Sequence, residues 1–291
     1  MSAVRVCGKG IALNEIAGHI RRCVDDYGMI GTGETVAVGV SGGKDSMLLL
    51  RAMSHLSRFH PAGFKLYAIT LDMGFDHMDF RPVAALCREL NVPYDVVRTD
   101  IRSVVFEDRK EKNPCSLCAK MRRGALHDAI RERGIRKVAL GHHFDDAVET
   151  FFLSLLYEGR ISCFEPVTYM SRADVWQLRP MLYVKEAAVI RAAERLALPI
   201  VPSTCPYERA EAGKRAEVKA LIQTMSQKYP DLKNKVFGAM QRYPLKGWAL
   251  DQKNQPYDKE QTDAGQTEYT HDQRVQPVNA QGNADERAEI V

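Results

Sequence analysis

Apolar and polar positions follow two alternating patterns along most of the chain. Short runs rich in Val, Ile and Ala that end in Gly or a polar residue, such as residues 34–42 (ETVAVGVSG), are typical of buried parallel strands. Longer segments with an apolar residue at every third or fourth position, such as residues 11–28, are typical of amphipathic helices. The predicted strands are residues 34–42, 64–74, 93–100, 136–143 and 175–183, and the predicted helices are residues 11–28, 44–59, 81–91, 119–134, 145–159 and 184–197. This alternation predicts an α/β fold, with a doubly wound parallel sheet that carries helices on both faces.

The same pattern divides the chain into four segments. We predict an N-terminal helical segment in residues 1–33, an α/β domain in residues 34–200, and a cysteine-containing loop with helices in residues 201–247, which forms a helical C-terminal extension. Residues 248–291 are rich in Gln, Asn, Asp and Glu and lack apolar periodicity, so their composition predicts a disordered tail. In a doubly wound sheet, ligands bind at the carboxyl ends of the strands, and the unusual motifs of this chain fall there.

Composition and charge narrow the class of protein. With 45% hydrophobic and 27% charged residues the chain has an ordinary globular composition, and no apolar run approaches the roughly 20 residues that span a bilayer. The N-terminus lacks the basic start and apolar core of a secretory signal, so we expect a cytoplasmic protein without a membrane partner. The seven cysteines then favour free thiols, metal ligands or catalytic sulfur over disulfides. A net charge of +4 with locally basic segments is compatible with a nucleic-acid partner.

A glycine-rich loop, residues 41–46 (SGGKDS), follows the first predicted strand and opens the next helix. Its glycines allow close approach of phosphate oxygens, its serines donate hydrogen bonds, and Lys44 adds positive charge at a helix N-terminus, where anions bind. Asp45 would be repelled by phosphate unless it held a cation, so we predict that it binds Mg²⁺. The spacing differs from that of a Walker A loop. A Gly-Gly turn with an ordinary helix cap is the alternative.

Two other strand ends carry candidate ligands. The second strand ends in residues 70–72 (TLD), and the segment after the fourth strand, residues 140–150 (LGHHFDDAVET), contains adjacent carboxylates. Asp145 and Asp146 begin a helix that faces the glycine loop, so they could complete a Mg²⁺ site with Asp45. The alternative is an N-cap Asp beside an exposed neighbour.

Three of the cysteines lie in polar segments. Cys115 and Cys118 have the two-residue spacing that lets two thiolates bind one metal, and Cys205 follows Pro202 in a segment that is not expected to be helical. Three cysteines leave one coordination position open, which is unlike a closed zinc site and compatible with a [4Fe-4S] cluster. Redox use of the Cys-X-X-Cys pair is the alternative. The remaining cysteines are predicted to be packing residues: Cys7, Cys23, Cys87 and Cys163.

The SGGKDS loop resembles the PP-loop of the ATP pyrophosphatase superfamily, which has an adenine nucleotide alpha-hydrolase-like, Rossmann-type fold. Such loops hold the pyrophosphate of ATP while the α-phosphate is attacked, so the resemblance implies adenylation of a substrate. In combination with residues 115–126 (CSLCAKMRRGAL), residues 140–159 and the late Cys205, the loop resembles the tRNA 2-thiocytidine synthetase family over roughly residues 11–243.

In that family ATP adenylates the C2 oxygen of a tRNA cytidine, and sulfur carried on a [4Fe-4S] cluster replaces it. The resemblance implies an ATP-dependent, iron-sulfur-dependent tRNA sulfurtransferase acting on cytidine 32. The implied catalytic residues are Lys44, Asp45, Cys115, Cys118 and Cys205, of which the three cysteines would be the cluster ligands. The implied ATP-binding residues are Val40, Ser41, Gly42, Gly43, Lys44, Asp45, Ser46, Thr70, Leu71, Asp72, Gly141, His142 and Asp146.

The resemblance also implies cofactors and partners. The cofactors would be ATP, Mg²⁺ and the [4Fe-4S] cluster, and the partners would be tRNA and a sulfur donor, either a cysteine desulfurase or free sulfide. Lys120, Arg122 and Arg123 could contact tRNA phosphates, with a solvated basic helix face as the alternative. Some relatives are dimers, so a homodimer is compatible with the resemblance.

Two other functions fit part of the pattern. A PP-loop enzyme could adenylate another substrate, for amine ligation as in tRNA-lysidine synthetases or for sulfur transfer to a small molecule, and its activity would not need Cys115. An iron-sulfur sensor that binds an adenine nucleotide without catalysis would release no pyrophosphate.

Overall fold

The computed structural model describes residues 3–109, 114–205 and 213–250, with side chains from residue 13 onward. The helices in these ranges are α1 Ala3–Asp26, α2 Lys44–Ser57, α3 Arg81–Leu90, α4 Pro114–Glu132, α5 Phe144–Glu158, α6 Glu186–Arg195, α7 Lys214–Lys228 and α8 Leu232–Arg242. The strands are β1 Thr35–Gly39, β2 Lys65–Asp72, β3 Tyr94–Arg98, β4 Lys137–Ala139, β5 Val167–Met170 and β6 Val175–Leu178. A π-helical segment covers Ser103–Asp108, and a 3₁₀ turn covers Pro180–Tyr183.

The strands form one sheet in the order β3-β2-β1-β4-β6-β5. All neighbouring pairs are parallel except β5 and β6, which pair antiparallel at one edge. The predicted α/β fold, with its N-terminal helix and helical C-terminal region, is confirmed. Because the strand order reverses between β1 and β4, the loops after these two strands border a crevice at the carboxyl edge of the sheet.

Helices cover both faces because the central strands are apolar on both sides. Residues 36–38 of β1 are fully buried. On one face α2 packs against β1 and β2 and is itself packed against α1 and α6. On the other face α4 places Ala129 and Ile130 in one apolar group with Ala37 and Val138. None of the helices in the described ranges is long and apolar enough to cross a membrane.

The start of α4 differs from the prediction. It begins at Pro114 instead of residue 119, because proline suits the first turn of a helix, where its missing N–H has no intrahelical partner. Cys115 and Cys118 therefore lie in the first turns of a helix and not in a loop. They are three positions apart along the chain, so their side chains share one side of α4.

The edge hairpin also differs from the prediction. Strand β5 was not predicted, because its four residues join β6 through residues 171–174 (SRAD), a turn that contains neither Gly nor Pro. Asp174 adopts a φ of 50° there. Strand β6 is shorter than the predicted 175–183, because Pro180 begins the 3₁₀ turn.

Two of the four cysteines that were predicted to pack in the interior are buried in the structure. Cys23 and Cys87 are buried, as predicted, whereas Cys163 is only partly buried. Burial raises the pKa of the Cys87 thiol to about 11, and that of Cys163 to about 12, so both are poor nucleophiles near neutral pH. The side chain of Cys7 lies outside the described residues.

The packed part of the chain extends through Trp248, which was predicted to open the disordered tail. Its side chain is fully buried, its indole N–H donates to the carbonyl of Phe164 at 3.0 Å, and its ring meets the ring of Phe237 edge-on at 5.1 Å. Residues 251–291 lie outside the described ranges. The rest of the tail and the other domain boundaries stay predictions.

Replacing Trp248 by Ala is expected to lower the free energy of unfolding by about 3–5 kcal/mol, because a buried aromatic side chain is lost and the Phe164 carbonyl loses its donor. Urea unfolding of the full-length protein measures this change. Tyr243→Ala is the matched control, since Tyr243 is 82% exposed. Equal stability of the two variants would contradict the buried position of Trp248.

Candidate functional site

The glycine loop turns at Gly42, whose φ of 88° lies in the left-handed region that favours glycine. The Gly42 carbonyl accepts a hydrogen bond from the Val201 amide at 3.0 Å. A Cβ built on Gly42 would lie 2.8 Å from the Cβ of Val201, so the two segments approach this closely only because residue 42 has no side chain. The glycine loop is therefore joined directly to the segment that carries Cys205.

The side chain of Ser46 stabilises the glycine loop through hydrogen bonds to the loop backbone. Its buried hydroxyl donates to the Gly43 carbonyl at 3.0 Å and accepts from the Ser41 amide at 3.2 Å. Gly43 is the N-cap of α2, so the amides of the first turn of α2 begin at this loop. The predicted phosphate site thus has a preformed backbone, and the described contacts of Ser46 hold its shape.

The end of β4 approaches the same turn. A Cβ on Gly141 would lie 3.1 Å from the Ser46 amide nitrogen, so only glycine fits here without a shift. His143 is the N-cap of α5: its ring accepts from the Asp146 amide, and the Asp146 carboxylate accepts from the His143 amide at 2.9 Å. Nε2 of His143 lies 3.9 Å from the Asp45 carboxylate. The structure therefore brings the motifs after β1 and β4 together, as predicted.

Asp45 is paired with its own neighbour. The Lys44 ammonium lies 3.0 Å from each oxygen of the Asp45 carboxylate. Asp146 lies on the other side of His143 and is 3.5 Å from the guanidinium of Arg215. A cation bound to Asp45 would replace the Lys44 ammonium as its counter-ion and free that ammonium for phosphate.

Asp145 has a structural role. One of its oxygens accepts from the Lys233 ammonium of α8 at 2.6 Å, and the other accepts from the Glu186 amide at the start of α6 at 2.7 Å. Burial opposes ionisation, but the hydrogen bonds from Glu186 and Lys233 outweigh it and hold the pKa of Asp145 below its usual value. The predicted Mg²⁺ role does not fit Asp145, because both oxygens already connect α5 to other helices.

The end of β2 supports the glycine loop. The Thr70 hydroxyl donates to the Val40 carbonyl at 2.7 Å and accepts from the Tyr94 hydroxyl at 3.0 Å, and Thr70 is buried. This hydroxyl joins β2 to the residue after β1, and both of these hydrogen bonds are made within the protein. The predicted contact of Thr70 with ATP stays a prediction. Leu71 and Asp72 are partly exposed at the strand end, so their predicted contacts with adenosine stay predictions.

A buried polar group beside His142 was not identified from the sequence. Arg179, at the end of β6, is buried and donates to the Glu165 carbonyl at 2.5 Å and to the Thr168 hydroxyl at 2.9 Å, and its guanidinium lies 4.9 Å from the centre of the Phe164 ring. Within the described residues, Nδ1 of His142 and Nε of Arg179 are buried without a hydrogen-bond partner. A cationic residue at a strand end was the signal that could have identified Arg179.

The predicted cluster ligands lie in neighbouring segments. Cys118 is 8% exposed and belongs to an apolar group with Ile101 and Val105, against which Phe106 packs. Cys205 follows Thr204, which lines the same cavity as Phe106. Cys115 and Cys205 are partly exposed. In the part of the chain that the structure describes, no three metal-ligating side chains are arranged around a common point, so the cluster stays a prediction.

The basic residues predicted to contact tRNA are accessible. Lys120, Arg122 and Arg123 are exposed on α4, in the turns that follow Cys118. The charge of Arg123 contributes to lowering the pKa of Arg179, after burial, which is the larger cause. Arg123 on α4 is therefore close enough to Arg179, which follows β6, for their positive charges to interact.

Comparison with known proteins identifies the family. The PP-loop domain family matches residues 14–201. The tRNA-cytidine(32) 2-sulfurtransferase of Syntrophotalea carbinolica is 34% identical over 220 residues, which cover 75% of this chain and 85% of that protein. The protein of the same name from Alkalilimnicola ehrlichii is 36% identical over 239 residues, which cover 81% and 76%. The chain belongs to the tRNA-cytidine(32) 2-sulfurtransferase family of PP-loop proteins.

The predicted family membership is thereby confirmed. A solved structure, the U34-tRNA thiolase NcsA from Methanococcus maripaludis with its [4Fe-4S] cluster, has a TM-score of 0.63 to this chain at 22% identity, with 78% of this chain and 77% of that chain covered. At this level of identity the likeness shows a shared fold.

Replacing Gly42 by Ala is expected to lower the free energy of unfolding by about 1–3 kcal/mol, because the new Cβ is strained at positive φ and collides with Val201. Gly43→Ala is the matched control, since Gly43 has a φ of −72° and its nearest neighbour to an added Cβ is the Ser41 hydroxyl at 3.5 Å. Urea unfolding compares the two variants. In a Gly42→Ala, Val201→Gly double variant the clashing Cβ of residue 201 is absent, so its loss of stability should be smaller than the sum of the two single losses, and additive losses would contradict the contact.

Burial of His142, reinforced by the charges of Arg179 and Arg215, lowers its pKa from 6.5 to about 3. Between these values the unfolded chain binds a proton that the folded chain excludes, so stability falls as pH falls through this window. Replacing His142 by Asn is expected to reduce the loss of unfolding free energy between pH 7 and pH 5 by about 1–2 kcal/mol. Urea unfolding at the two pH values measures the difference. The same pH dependence in both proteins would contradict a neutral His142 with a lowered pKa.

Proposed function

We propose that this family member is an ATP-dependent tRNA sulfurtransferase, which adenylates the C2 oxygen of cytidine 32 and replaces that oxygen with sulfur. The name of these relatives gives the substrate and the reaction class. The observation that carries the proposal is the contact of Gly42 with Val201, because it joins a phosphate-binding loop to the segment of a predicted sulfur-handling cysteine.

In the first step the C2 oxygen attacks the α-phosphate of ATP. A phosphorus–oxygen bond to the cytidine forms, the bond to pyrophosphate breaks, and the products are an adenylated cytidine and pyrophosphate. The amides of the first turn of α2 and the Lys44 ammonium would stabilise the departing pyrophosphate. Mg²⁺ would bind at Asp45, with Asp146 nearby, and would displace the Lys44 ammonium from the Asp45 carboxylate.

In the second step hydrosulfide attacks C2 of the adenylated base. A carbon–sulfur bond forms, the carbon–oxygen bond to AMP breaks, and the hydrosulfide proton is released. A carbonyl oxygen is a poor leaving group, whereas AMP is a good one, which is the chemical reason for adenylation. Holding sulfide beside C2 converts a bimolecular attack into a local one.

The residues present fit a [4Fe-4S] cluster by their chemistry. Cys115 and Cys118 share one side of α4, and Cys205 follows Thr204, which shares a cavity with Phe106 beside Cys118. These three thiols would hold the cluster. When bound, a cluster with three cysteine ligands supplies one iron position at which sulfide can coordinate. The sulfide itself would come from a cysteine desulfurase or from free sulfide.

The exposed basic residues of α4 support tRNA as the partner. Lys120, Arg122 and Arg123 follow the cysteine pair directly, so phosphates that they bind would lie next to the reaction site. Each phosphate contact should add salt dependence to the affinity for tRNA. A homodimer is also compatible with the family.

Thiolation can be tested with anaerobically purified protein, ATP, Mg²⁺, sulfide and unmodified tRNA, with detection of 2-thiocytidine by mass spectrometry after digestion. The wild type should form the thionucleoside and contain iron and acid-labile sulfide. Lys44→Ala should lower the rate by about 100-fold or more, because it removes charge that stabilises pyrophosphate. Cys118→Ser should lose both iron and activity.

The matched control is Cys87→Ala, a buried cysteine in α3, which should keep iron and activity. Thiolation by Cys118→Ser at the wild-type rate would contradict the proposed role of the cysteines. Release of pyrophosphate without any thionucleoside would favour an adenylating enzyme with another substrate.

A further inference from the structure

A cavity of about 390 Å³ lies outside the residues assigned so far. It is bounded by the loop after β2, the π-helical segment after β3 and the segment that precedes Cys205. Its volume falls within the roughly 300–1,000 Å³ of small-molecule sites. The lining residues are Phe75, Asp76, His77, Arg102, Phe106, Glu107 and Thr204.

The cavity lies near two of the predicted cluster ligands, Cys118 and Cys205. Phe106 lines the cavity and packs against the apolar group that contains Cys118. Thr204 lines the cavity and immediately precedes Cys205. The cavity also opens at the carboxyl edge of the sheet, where β2 and β3 end. A ligand in this cavity would therefore lie beside the predicted source of sulfur.

Two aromatic rings suit a planar ligand. The centres of the Phe75 and Phe106 rings are 5.8 Å apart, and the ring planes are tilted by 56°. Phe75 is buried, whereas Phe106 is partly exposed to the cavity. A base can stack on such a ring, and stacking on aromatic side chains is a common way for proteins to bind unpaired bases.

The charged lining residues are held loosely. The Arg102 guanidinium lies 3.7 Å from the Asp76 carboxylate and 3.4 Å from the Glu107 carboxylate, which is longer than a strong charge-assisted hydrogen bond of about 2.7–2.9 Å. Both carboxylates are more than half exposed. A ligand can therefore reach the acceptors of Glu107 and the donors of Arg102 together.

We propose that this cavity holds the target cytosine base, unstacked from a single-stranded loop of tRNA, and that Glu107 selects cytosine over uracil. The exocyclic amine of cytosine donates to a carboxylate, as in other contacts of Glu with cytosine, whereas the O4 atom of uracil is an acceptor and would be repelled. Arg102 can donate to a carbonyl oxygen of either base. This inference rests on the proposed function.

Adenine of ATP is the competing occupant, because it also carries an exocyclic amine. The two occupants differ in what Glu107 would affect. If the cavity holds cytosine, loss of the Glu107 charge changes discrimination between bases in tRNA and leaves ATP affinity unchanged. If it holds adenine, the same change weakens ATP binding.

The test measures binding of anaerobically purified full-length protein to end-labelled tRNA with cytidine or uridine at position 32, by fluorescence anisotropy. The wild type should bind the cytidine form about 10-fold more tightly. Glu107→Gln should reduce this ratio to about 2-fold or less, because an amide can donate to O4 of uracil. Asp108→Asn, which changes the adjacent exposed carboxylate, should keep the wild-type ratio. Equilibrium dialysis should show the same ATP affinity in all three proteins.

An unchanged ratio in Glu107→Gln, or a wild type that does not discriminate, would overturn the proposal, as would a parallel loss of ATP affinity. Phe106→Leu should weaken binding of both tRNAs, and normal binding by a folded Phe106→Leu protein would also count against it. The thiolation assay separates the two proposals. Discrimination without thiolation would contradict the proposed function alone, and thiolation without discrimination would contradict the cavity assignment alone.

Discussion

The contact between Gly42 and Val201 is the constraint on which the site depends. It requires a residue without a side chain at a positive φ, and it places the Val201 amide 3.0 Å from the loop carbonyl. The loop is held at two further points, by the hydroxyl of Thr70 at the Val40 carbonyl and by Gly141 against the first turn of α2. The glycine loop is thus held by β2, by the residues that follow β4 and by the segment that carries Cys205. A shift in any one of these would move the loop.

The parallel sheet explains why distant motifs meet. Because the strand order reverses between β1 and β4, the loops after both strands open into one crevice. The chain reaches that edge again at the end of every parallel strand. The cysteine helix α4 begins at the same edge, since it precedes β4. Residues that are far apart in the sequence therefore lie close together here when each of them follows the end of a parallel strand.

Much of this arrangement could be predicted from the sequence. The glycine loop, the end of β4 and the alternation of strands and helices have strong local signals, because buried strands are apolar and glycines mark their ends. Edge strand β5 has only four residues and a turn without glycine, so it had no such signal. The start of α4 at Pro114 was not predicted, because proline occurs both in the first turn of a helix and in loops, so its presence alone does not mark a helix start.

Other features depend on tertiary contacts that no local pattern contains. The sequence of two adjacent aspartates does not show which way each side chain points. Only the positions of Lys233 and Glu186 show that Asp145 holds helices together. Nothing in the sequence distinguishes Val201 from other apolar residues, and only the structure shows that its amide contacts Gly42. The burial of Arg179 next to a neutral His142 likewise depends on how β6, the segment before β5 and the end of β4 pack.

The central claim is that the glycine loop serves to transfer AMP to the C2 oxygen of cytidine before sulfur enters. The most direct measurement uses tRNA that carries ¹⁸O at C2 of cytidine 32, with unlabelled ATP, Mg²⁺ and sulfide, and analyses the AMP by mass spectrometry. We predict that each thiolation event transfers its ¹⁸O atom to AMP. Thionucleoside formation with unlabelled AMP would contradict the claim, because the C2 oxygen would then have left by another route.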